Sequence, residues 1–419
     1  MKFVLASYGT RGDVEPCAAV GRELLRRGHE VRMAVAPDLA GFVESLGLAA
    51  VGYGPPTRLW QDLHRAFLTH LFRNFWKIRE LIRLGREDWR LFTRCWAEAG
   101  AVLMPLAQGA DLLLTIVIGQ EPAANVAEYY GIPFAMLHTR PMRANSQFTL
   151  PAPLVRSAMV ANEWLAWRLV RKLDAAQRRD LGLPPASGLW SRRIAERRPL
   201  AIQAYDEVCF PGLAAEWANF DGRRPVVGSL TLELPTPADE EVASWIAAGT
   251  PPIFFGFGST PVKSPAETIA MIGAACAQLG ERALVCAAES AFGDVPRFAH
   301  VKVVDTVNYA TAFPACRAVV HHGGAGTTAA GLRAGVPQLI VSTWLDQALW
   351  GARVTRLQVG TARRFSMTHE SLVADLRTIL APHYLARARE IATRMSPPAA
   401  NVARAADLLE DFARQGRCG

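Results

Sequence analysis

The chain has 419 residues, of which 50% are apolar and 20% are charged. At ~150 residues per domain this length predicts two or three domains, and the composition excludes disordered and fibrous classes. The 46 Lys and Arg residues exceed the 38 Asp and Glu residues, which gives a net charge of +8. An excess of this size favours anionic partners such as nucleotide phosphates, lipid headgroups or nucleic acid, without choosing among them.

Cysteine usage and hydropathy give an expectation for the compartment. The seven cysteines include no Cys-x-x-Cys pair, so we expect a reducing environment, no disulfide scaffold and no zinc site. The apolar run that precedes Arg11 is too short for a secretion signal. No stretch approaches the ~18 uninterrupted apolar residues of a membrane helix. We therefore expect a cytoplasmic protein that is at most peripheral to the inner face of the plasma membrane.

Short apolar strands alternate with helical segments along the chain. In the first half the pattern predicts strands at 2–7, 30–36, 49–53, 111–118, 133–138 and 200–205, and a helix at 16–27. In the second half it predicts strands at 252–257, 282–287, 301–304, 318–321 and 338–342, with helices at 265–279 and 327–334. Two such series predict two doubly wound α/β domains. Prolines and glycines between 210 and 237 mark the boundary, and the tail after Ala381 predicts two helices separated at Pro397 and Pro398.

Residues 58–98 form a basic, aromatic-rich insertion. The segment has nine Lys or Arg residues against five Asp or Glu residues, and eight Phe or Trp residues at helical spacing. One interpretation is a pair of amphipathic helices that pack on the first domain. The other is a face that contacts an anionic membrane or accepts an apolar substrate. Nucleic acid is a poorer fit, because no nucleic-acid-binding motif accompanies the charge.

The strongest motif is HHGGAGTT at residues 321–328, between a predicted strand and a predicted helix. Glycines at such a turn let backbone N–H groups approach a phosphate, and a helix N-terminus favours negative charge. Thr327 and Thr328 are placed to cap the helix and to donate their hydroxyls to the phosphates, and His321 to donate a hydrogen bond to a diphosphate. The motif is neither a GxGxxG dinucleotide fingerprint nor a Walker loop. The alternative is a tight turn with core histidines.

Three further turns follow predicted strands or the domain boundary. Asp346 and Gln347 come after the strand at 338–342, where a carboxylate and an amide suit vicinal hydroxyls, although such a pair also caps helices. The turn GFGST at 256–260 and the turn GS at 228–229 are each either close to the ligand that carries this diphosphate or a simple turn.

The first predicted strand leads into YGTRGDVEP at residues 8–16. Asp13 is either a general base for an acceptor hydroxyl or the N-cap of the following helix. Arg11 is either a salt-bridge partner or a residue without a specific role.

Together, YGTRGDVEP, PVVGSL, GFGST, VVHHGGAGTT and WLDQ resemble the GT-B glycosyltransferases of family 1, in order and along the whole chain. The bacterial branch that modifies glycopeptides, macrolides and lipids is the most similar, and the first loop and the insertion resemble mycobacterial glycopeptidolipid glycosyltransferases. The resemblance implies two Rossmann-like domains facing a cleft. It implies an N-terminal acceptor domain at 1–215, a linker at 216–237, a donor domain at 238–385, and C-terminal helices at 386–419 that pack back on the first domain.

The resemblance also implies roles for single residues. The donor diphosphate would be bound by His321, Gly323, Gly324, Gly326 and Thr327, with Ser259, Thr260 and Ser229 close to the donor. Asp346 and Gln347 would bind sugar hydroxyls, and the backbone around Val307 would contact the nucleotide base. Asp13 matches the aspartate proposed as the base in the glycopeptide branch, whereas many relatives have a histidine in this loop. Arg11, His138 and Arg140 are the acceptor-side candidates.

These roles predict an inverting glycosyltransferase that needs no cofactor and no metal, since no acidic pair of the DxD type accompanies the phosphate turn. The expected partners are a nucleotide-sugar, with dTDP-rhamnose, another dTDP-deoxysugar or UDP-glucose as donor, and a hydrophobic or amphipathic acceptor such as a lipid, lipopeptide or natural product. No nucleic-acid partner is expected. The alternatives are a nucleotide-sugar epimerase or hydrolase of the same fold, a non-catalytic nucleotide-sugar binding protein, and glucosylation of a sterol-like aglycone.

Overall fold

The computed structural model describes residues 1–142, 152–186, 188–218, 222–258, 264–287, 295–364 and 367–417. The chain divides into two compact units. The first unit comprises residues 1–204, 212–230 and 399–419, and the second comprises 205–211 and 231–398.

The first unit is built on a six-stranded parallel sheet with the strand order β3-β2-β1-β4-β5-β6. Its strands are β1 (Lys2–Ser7), β2 (Glu30–Val35), β3 (Ala49–Gly52), β4 (Leu112–Thr115), β5 (Phe134–His138) and β6 (Leu200–Gln203). Its helices are α1 (Arg11–Arg26), α2 (Ala40–Ser45), α3 (Thr57–Arg73), α4 (Ile78–Ala107), α5 (Gln120–Tyr130), α6 (Ala152–Asp180), α7 (Trp190–Glu196), α8 (Leu213–Glu216) and, at the end of the chain, α16 (Pro398–Arg417).

The central strands β1, β4 and β5 are covered on both faces, which is why they are nearly continuous apolar runs. Phe3 and Leu5 pack in one core with α1 and α16, whereas Val4 and Ala6 pack in a second core with α4 and α5. Helix α1 begins at Arg11, five residues before its predicted start, and Pro16 lies inside it.

The second unit has the same plan, with the strand order β12-β11-β10-β7-β8-β9. Its strands are β7 (Ile253–Gly256), β8 (Ala283–Cys286), β9 (Val301–Val304), β10 (Ala318–His321), β11 (Gln338–Ser342) and β12 (Gly360–Arg364). Its helices are α9 (Asp239–Ala247), α10 (Pro265–Leu279), α11 (Tyr309–Ala312), α12 (Ala325–Ala334), α13 (Leu345–Arg356), α14 (His369–Ile379) and α15 (Pro382–Ala392). In each sheet the strand order reverses beside the first strand, and open α/β sheets bind ligands at that switch point.

Strand β12 is missing from the sequence-based prediction because GTARR alternates small and charged residues rather than forming an apolar run. It pairs with β11 at the edge of the sheet. A Cβ on Gly360 would lie 1.8 Å from the carbonyl oxygen of Gln338, so this edge strand approaches its neighbour closely at a residue without a side chain.

The division into units differs in detail from the predicted boundaries. Residues 205–211 belong to the second unit, and the change of unit within the predicted linker falls after Leu230. The two predicted C-terminal helices belong to different units. Helix α15 lies in the second unit, whereas α16, except for its first residue, lies in the first. Ala405, Leu409 and Ala413 bury α16 in the core around β1.

Among the described residues, no helix combines the length and the apolar character that crossing a bilayer requires.

Candidate functional sites

In the second unit, the switch point lies between β7 and β10, where Gly256 is the register partner of His321. The chain leaves β10 through Gly323 and Gly324 and enters α12, with Gly324 as the residue that precedes the helix. The helix therefore begins at Ala325, two residues earlier than predicted. Thr327 and Thr328 lie inside the first turns rather than capping the helix, and the Thr328 hydroxyl donates to the carbonyl of Gly324 at 2.8 Å.

Gly323 is required by both conformation and space. Its φ is +89°, in the left-handed region that favours glycine. A Cβ at this position would lie 2.7 Å from Cγ2 of Ile340 and 3.0 Å from the carbonyl oxygen of Gln347. The turn thus packs directly against the start of α13, which brings the two predicted donor motifs together.

The first turn of α12 has the features of an anion site. The N–H groups at the start of an α-helix have no carbonyl partner within the helix, and the helix dipole places partial positive charge there. Here those groups belong to Ala325, Gly326 and Thr327, which are half-buried. The nearest atom to a Cβ on Gly326 would be Cγ2 of Thr231 at 3.5 Å, an ordinary contact.

His321 supports this turn from inside. Its ring is 1% exposed, its Nδ1 accepts the N–H of Gly323 at 3.1 Å, and its Nε2 donates to Oε1 of Gln338 at 2.8 Å. Burial lowers its pKa to about 3, so the ring is neutral at pH 7. Both ring nitrogens of His321 are therefore occupied inside the fold. The predicted hydrogen bond from His321 to a diphosphate does not fit this arrangement.

His322 is the residue that the sequence-based interpretation missed. Its ring fits between two glycines, because a Cβ on Gly258 would lie 2.6 Å from Cε1 and a Cβ on Gly324 would lie 2.6 Å from Nε2. Its buried Nδ1 has no hydrogen-bond partner among the described residues. Burial lowers its pKa to about 4, opposed by the nearby charge of Asp346 and by a hydrogen bond with the backbone of Gly256. The sequence did contain a signal for this difference. His321 ends β10 and His322 follows it, and successive strand residues point to opposite faces of a sheet, so different surroundings were to be expected for the two histidines.

The two predicted sugar-binding residues, Asp346 and Gln347, lie at the start of α13 in different environments. Gln347 is buried, and its Oε1 accepts hydrogen bonds from the N–H of Thr343 (2.8 Å), the hydroxyl of Thr343 (3.0 Å) and the N–H of Trp344 (3.1 Å). Its amide oxygen thus closes the loop. Asp346, by contrast, is exposed beside His322, and its carboxylate faces solvent.

The other predicted donor residues have different placements. Ser259 and Thr260 lie outside the described residues. Val307 is buried in a core with Phe254 and Phe313. Ser229 is a buried residue of the first unit, where its carbonyl accepts from Nδ2 of Asn401 at 3.1 Å.

In the first unit, Asp13 follows β1 at the equivalent switch point. Thr10 precedes α1, so Asp13 is the third residue of the helix rather than its N-cap. Its Oδ2 accepts the N–H of Thr10 at 2.8 Å and the hydroxyl of Thr10 at 3.1 Å. A Cβ on Gly9, whose φ is +143°, would lie 2.4 Å from the same oxygen. The carboxylate is thereby held in one orientation at the carboxyl edge of the sheet.

The three acceptor-side candidates lie in different environments. Arg11 is exposed, donates to Glu15 at 3.1 Å and stacks over the ring of Phe42 at 4.7 Å. His138 ends β5 and is buried, with its Nδ1 3.4 Å from Nε2 of Gln203. Arg140 is half-buried beyond the end of β5. The described residues contain no group of three or more His, Cys, Asp or Glu side chains arranged to hold a metal ion.

Two family descriptions match the chain. Residues 3–149 match the glycosyltransferase family 28 N-terminal domain, and residues 267–408 match the erythromycin biosynthesis protein CIII-like C-terminal domain. The second match contains the turn at His322 and the start of α13, and the first contains Asp13.

Individual proteins extend the comparison to the whole chain. An uncharacterized glycosyltransferase of Mycobacterium tuberculosis (strain H37Rv) is 59% identical over 422 residues, covering 100% of both chains. The sterol 3-beta-glucosyltransferase UGT80B1 of Arabidopsis thaliana is 28% identical, over 94% of this chain and 65% of its own. The crystal structure of glycosyltransferase VinC in complex with dTDP has a TM-score of 0.66 at 20% identity, covering 99% of this chain and 100% of that one.

These matches and the two parallel sheets define the class: the chain belongs to the GT-B glycosyltransferases of family 1. Within that class it is similar along its whole length to mycobacterial glycosyltransferases.

Proposed function

We propose that this glycosyltransferase transfers a sugar, with inversion and without a metal ion, from a nucleoside-diphosphate donor to a hydroxyl of a hydrophobic acceptor. The observation that carries the proposal is the N-terminus of α12 at the switch point of the second sheet. Its first-turn N–H groups lie beside His322, whose buried Nδ1 lacks a partner among the described residues.

The leaving group is the chemical problem that this turn addresses. When the bond between the anomeric carbon and the diphosphate oxygen breaks, the electron pair remains on that oxygen. Oriented N–H groups and the positive end of a helix stabilise such charge without reorganising. In this proposal the one ring proton of the neutral His322 lies on the nitrogen that faces the phosphate, so that the ring donates a hydrogen bond. His321 keeps the turn in place. The positive end of α12 would thus stabilise the negative charge of the leaving diphosphate, as a metal ion does in other phosphate-transfer sites.

The acceptor supplies the nucleophile. In the proposed reaction Asp13 takes the proton of the acceptor hydroxyl, the oxygen attacks the anomeric carbon, and the configuration inverts as the nucleoside diphosphate departs. The fixed position of the Asp13 carboxylate against Gly9 and Thr10 supports this role, because a base acts only when it is held within hydrogen-bond distance. Asp346 accepts from sugar hydroxyls, and the buried Gln347 holds the loop that presents it.

The similar proteins support a choice of ligands. The VinC structure contains dTDP, and the Arabidopsis relative is a sterol glucosyltransferase. We therefore propose dTDP-linked deoxysugars such as dTDP-rhamnose as the first donors to test and UDP-glucose as the second. The acceptor class is a hydroxylated lipid, lipopeptide or apolar natural product.

Release of nucleoside diphosphate, measured with and without acceptor in the presence of EDTA, tests the proposal. We expect acceptor-dependent release and a product of inverted anomeric configuration by NMR. Release without any acceptor identifies a hydrolase or epimerase instead. Loss of activity in EDTA that Mg²⁺ or Mn²⁺ restores would overturn metal independence. A preceding thermal-shift panel of dTDP, UDP and GDP selects the base, since a ligand at 100 times its Kd adds about 2.7 kcal/mol of stability.

A further inference from the structure

Half of the exposed large apolar side chains among the described residues lie within residues 59–89 of the first unit, and a smaller group lies on α6. Phe75 is 64% exposed, and Trp76 and Ile78 are each 62% exposed. These residues lie between α3 and α4 or at the first position of α4, and we call residues 74–79 the hairpin tip. Single exposed apolar residues are common on the surfaces of soluble proteins, whereas a contiguous group of them marks an interaction site.

The base of the hairpin is firmly packed, so the exposure of its tip does not reflect a poorly packed element. Trp60 of α3 donates from Nε1 to Asp88 of α4 at 2.8 Å and packs against Phe92 and Tyr8. Closer to the tip, a Cβ on Gly85 would lie 3.3 Å from the ring of Phe67. The two helices are therefore antiparallel, and residues 74–79 form the turn at their far end.

The outer face of α4 continues the apolar tip. At 100° per residue, Ile78, Ile82 and Trp89 fall within about 40° of one another, and all three are exposed. The inner face is the one that carries the buried Leu84 and Cys95. Helix α4 thus has a second apolar stripe without a covering element among the described residues.

A basic stripe lies next to this apolar stripe. Arg79, Arg83, Arg86 and Arg90 fall within about 60° on the adjoining face, and all are exposed. Arg83 is paired with Glu80 and Glu87, but Lys77, Arg79, Arg86 and Arg90 form no ion pair with a described residue. Between residues 71 and 90 there are six basic and three acidic residues.

We infer that the hairpin tip and the outer face of α4 dock on a bilayer that contains anionic lipids, with Phe75, Trp76 and Ile78 entering the interface and the neighbouring cations contacting headgroups. An apolar stripe beside an Arg-rich stripe is the arrangement of helices that lie in a membrane interface, where Trp and Phe also concentrate. A second copy of this chain is disfavoured, because identical tips would bring two positively charged surfaces together. This docking does not depend on the proposed reaction.

Co-sedimentation of the full chain with vesicles tests the inference. We expect binding to phosphatidylcholine vesicles that contain roughly one-third phosphatidylglycerol, and much weaker binding to pure phosphatidylcholine or at high salt. The double variant Phe75→Ser/Trp76→Ser is expected to lower the partition coefficient at least ~10-fold. Arg79→Gln/Arg86→Gln is expected to lower it by about 10- to 30-fold on anionic vesicles only.

The matched control is Trp164→Ser, which removes a 48% exposed tryptophan from α6, outside the hairpin, and is expected to retain binding. Melting temperatures and nucleotide-induced thermal shifts check that each variant is folded. Absence of binding to anionic vesicles, or equal loss in the Trp164 control, overturns the inference. A self-association that the tip variants abolish, without vesicle binding, would assign the surface to a second copy instead.

Discussion

Nε2 of His321 lies 2.8 Å from Oε1 of Gln338, on the neighbouring strand. Because Nδ1 of the same ring accepts the N–H of Gly323, Nε2 carries the ring proton and donates it to Gln338. The Gln338 amide in turn donates to the carbonyl of Thr328 in α12. One chain of hydrogen bonds thus connects two strands, the glycine turn and the helix that the donor phosphate would meet.

The neutral state of His321 predicts how stability depends on pH. Burial lowers its pKa to about 3, against an ordinary value of 6.5. Between these values the unfolded chain binds a proton that the folded chain does not, so the free energy of unfolding falls as the pH decreases from 6.5 towards 3. The contribution is up to about 1.4 kcal/mol per pH unit. Urea denaturation at several pH values measures the slope, and His321→Asn is expected to reduce it. An unchanged slope in that variant, with His383→Asn on the exposed face of α15 as control, would contradict the assignment.

His322 is predicted to contribute directly to diphosphate binding. His322→Ala removes the ring between Gly258 and Gly324, and we expect about 10-fold weaker binding of dTDP or UDP, the size of one hydrogen bond to a charged group. Isothermal titration calorimetry measures the affinity. His383→Ala serves as the control, because this histidine of the same unit is exposed and contacts Tyr384. Unchanged affinity in His322→Ala would leave the backbone N–H groups as the ligands of the phosphate.

Gly323→Ala tests the geometry of the turn. The substitution forces a side chain into a left-handed conformation and against Ile340, so we expect loss of about 1–3 kcal/mol of stability together with nucleotide affinity. Gly280→Ala is the matched control: its φ is +68°, but nothing lies within 4 Å of the new Cβ. Chemical denaturation and calorimetry separate the two effects. Equal stability and affinity losses in both variants would mean that backbone strain, rather than the contact with α13, decides the outcome.

Asp13 is expected to act in catalysis beyond its contacts with Thr10. Asp13→Asn should lower kcat by ~10²-fold or more while nucleotide affinity is unchanged. Thr10→Val removes the hydroxyl that Asp13 accepts, so we expect about 1 kcal/mol lower stability and a small change in kcat. Steady-state kinetics and thermal denaturation measure both. Parallel losses of kcat in the two variants would reduce Asp13 to a structural residue.

The loop at α13 predicts different effects for its two polar residues. Asp346→Asn should weaken the nucleotide-sugar more than the free nucleoside diphosphate, because Asp346 is exposed and its carboxylate would meet the sugar. Gln347→Ala should lower stability, since three donors of Thr343 and Trp344 lose their acceptor. Competition binding and thermal denaturation distinguish them. An Asp346→Asn variant with equal losses for both ligands would place this carboxylate near the phosphate rather than the sugar.

Much of the fold was predictable from local patterns. Short apolar segments place eleven of the twelve strands, with β1, β9, β10 and β11 at their predicted bounds. The signal is strongest where both faces are buried, as in β4 and β10. The exception, β12, pairs at an edge and carries charged residues. The early start of α1 was also missed, since Pro16 is usually a helix-start signal and here lies within the helix.

The sequence by itself determined the two α/β units, the glycine turn before α12 and the positions of the histidines, Asp13 and Asp346, because strand periodicity and turn chemistry are local. Only the tertiary structure decided which groups of these residues are used inside the fold. His321 is neutral because its ring is buried, and Gln338 and Gly323 occupy its two nitrogens. The side-chain oxygen of Gln347 is likewise occupied, by donors of the loop before it. Those partners are set by strand order and register, which bring together residues that are distant along the chain.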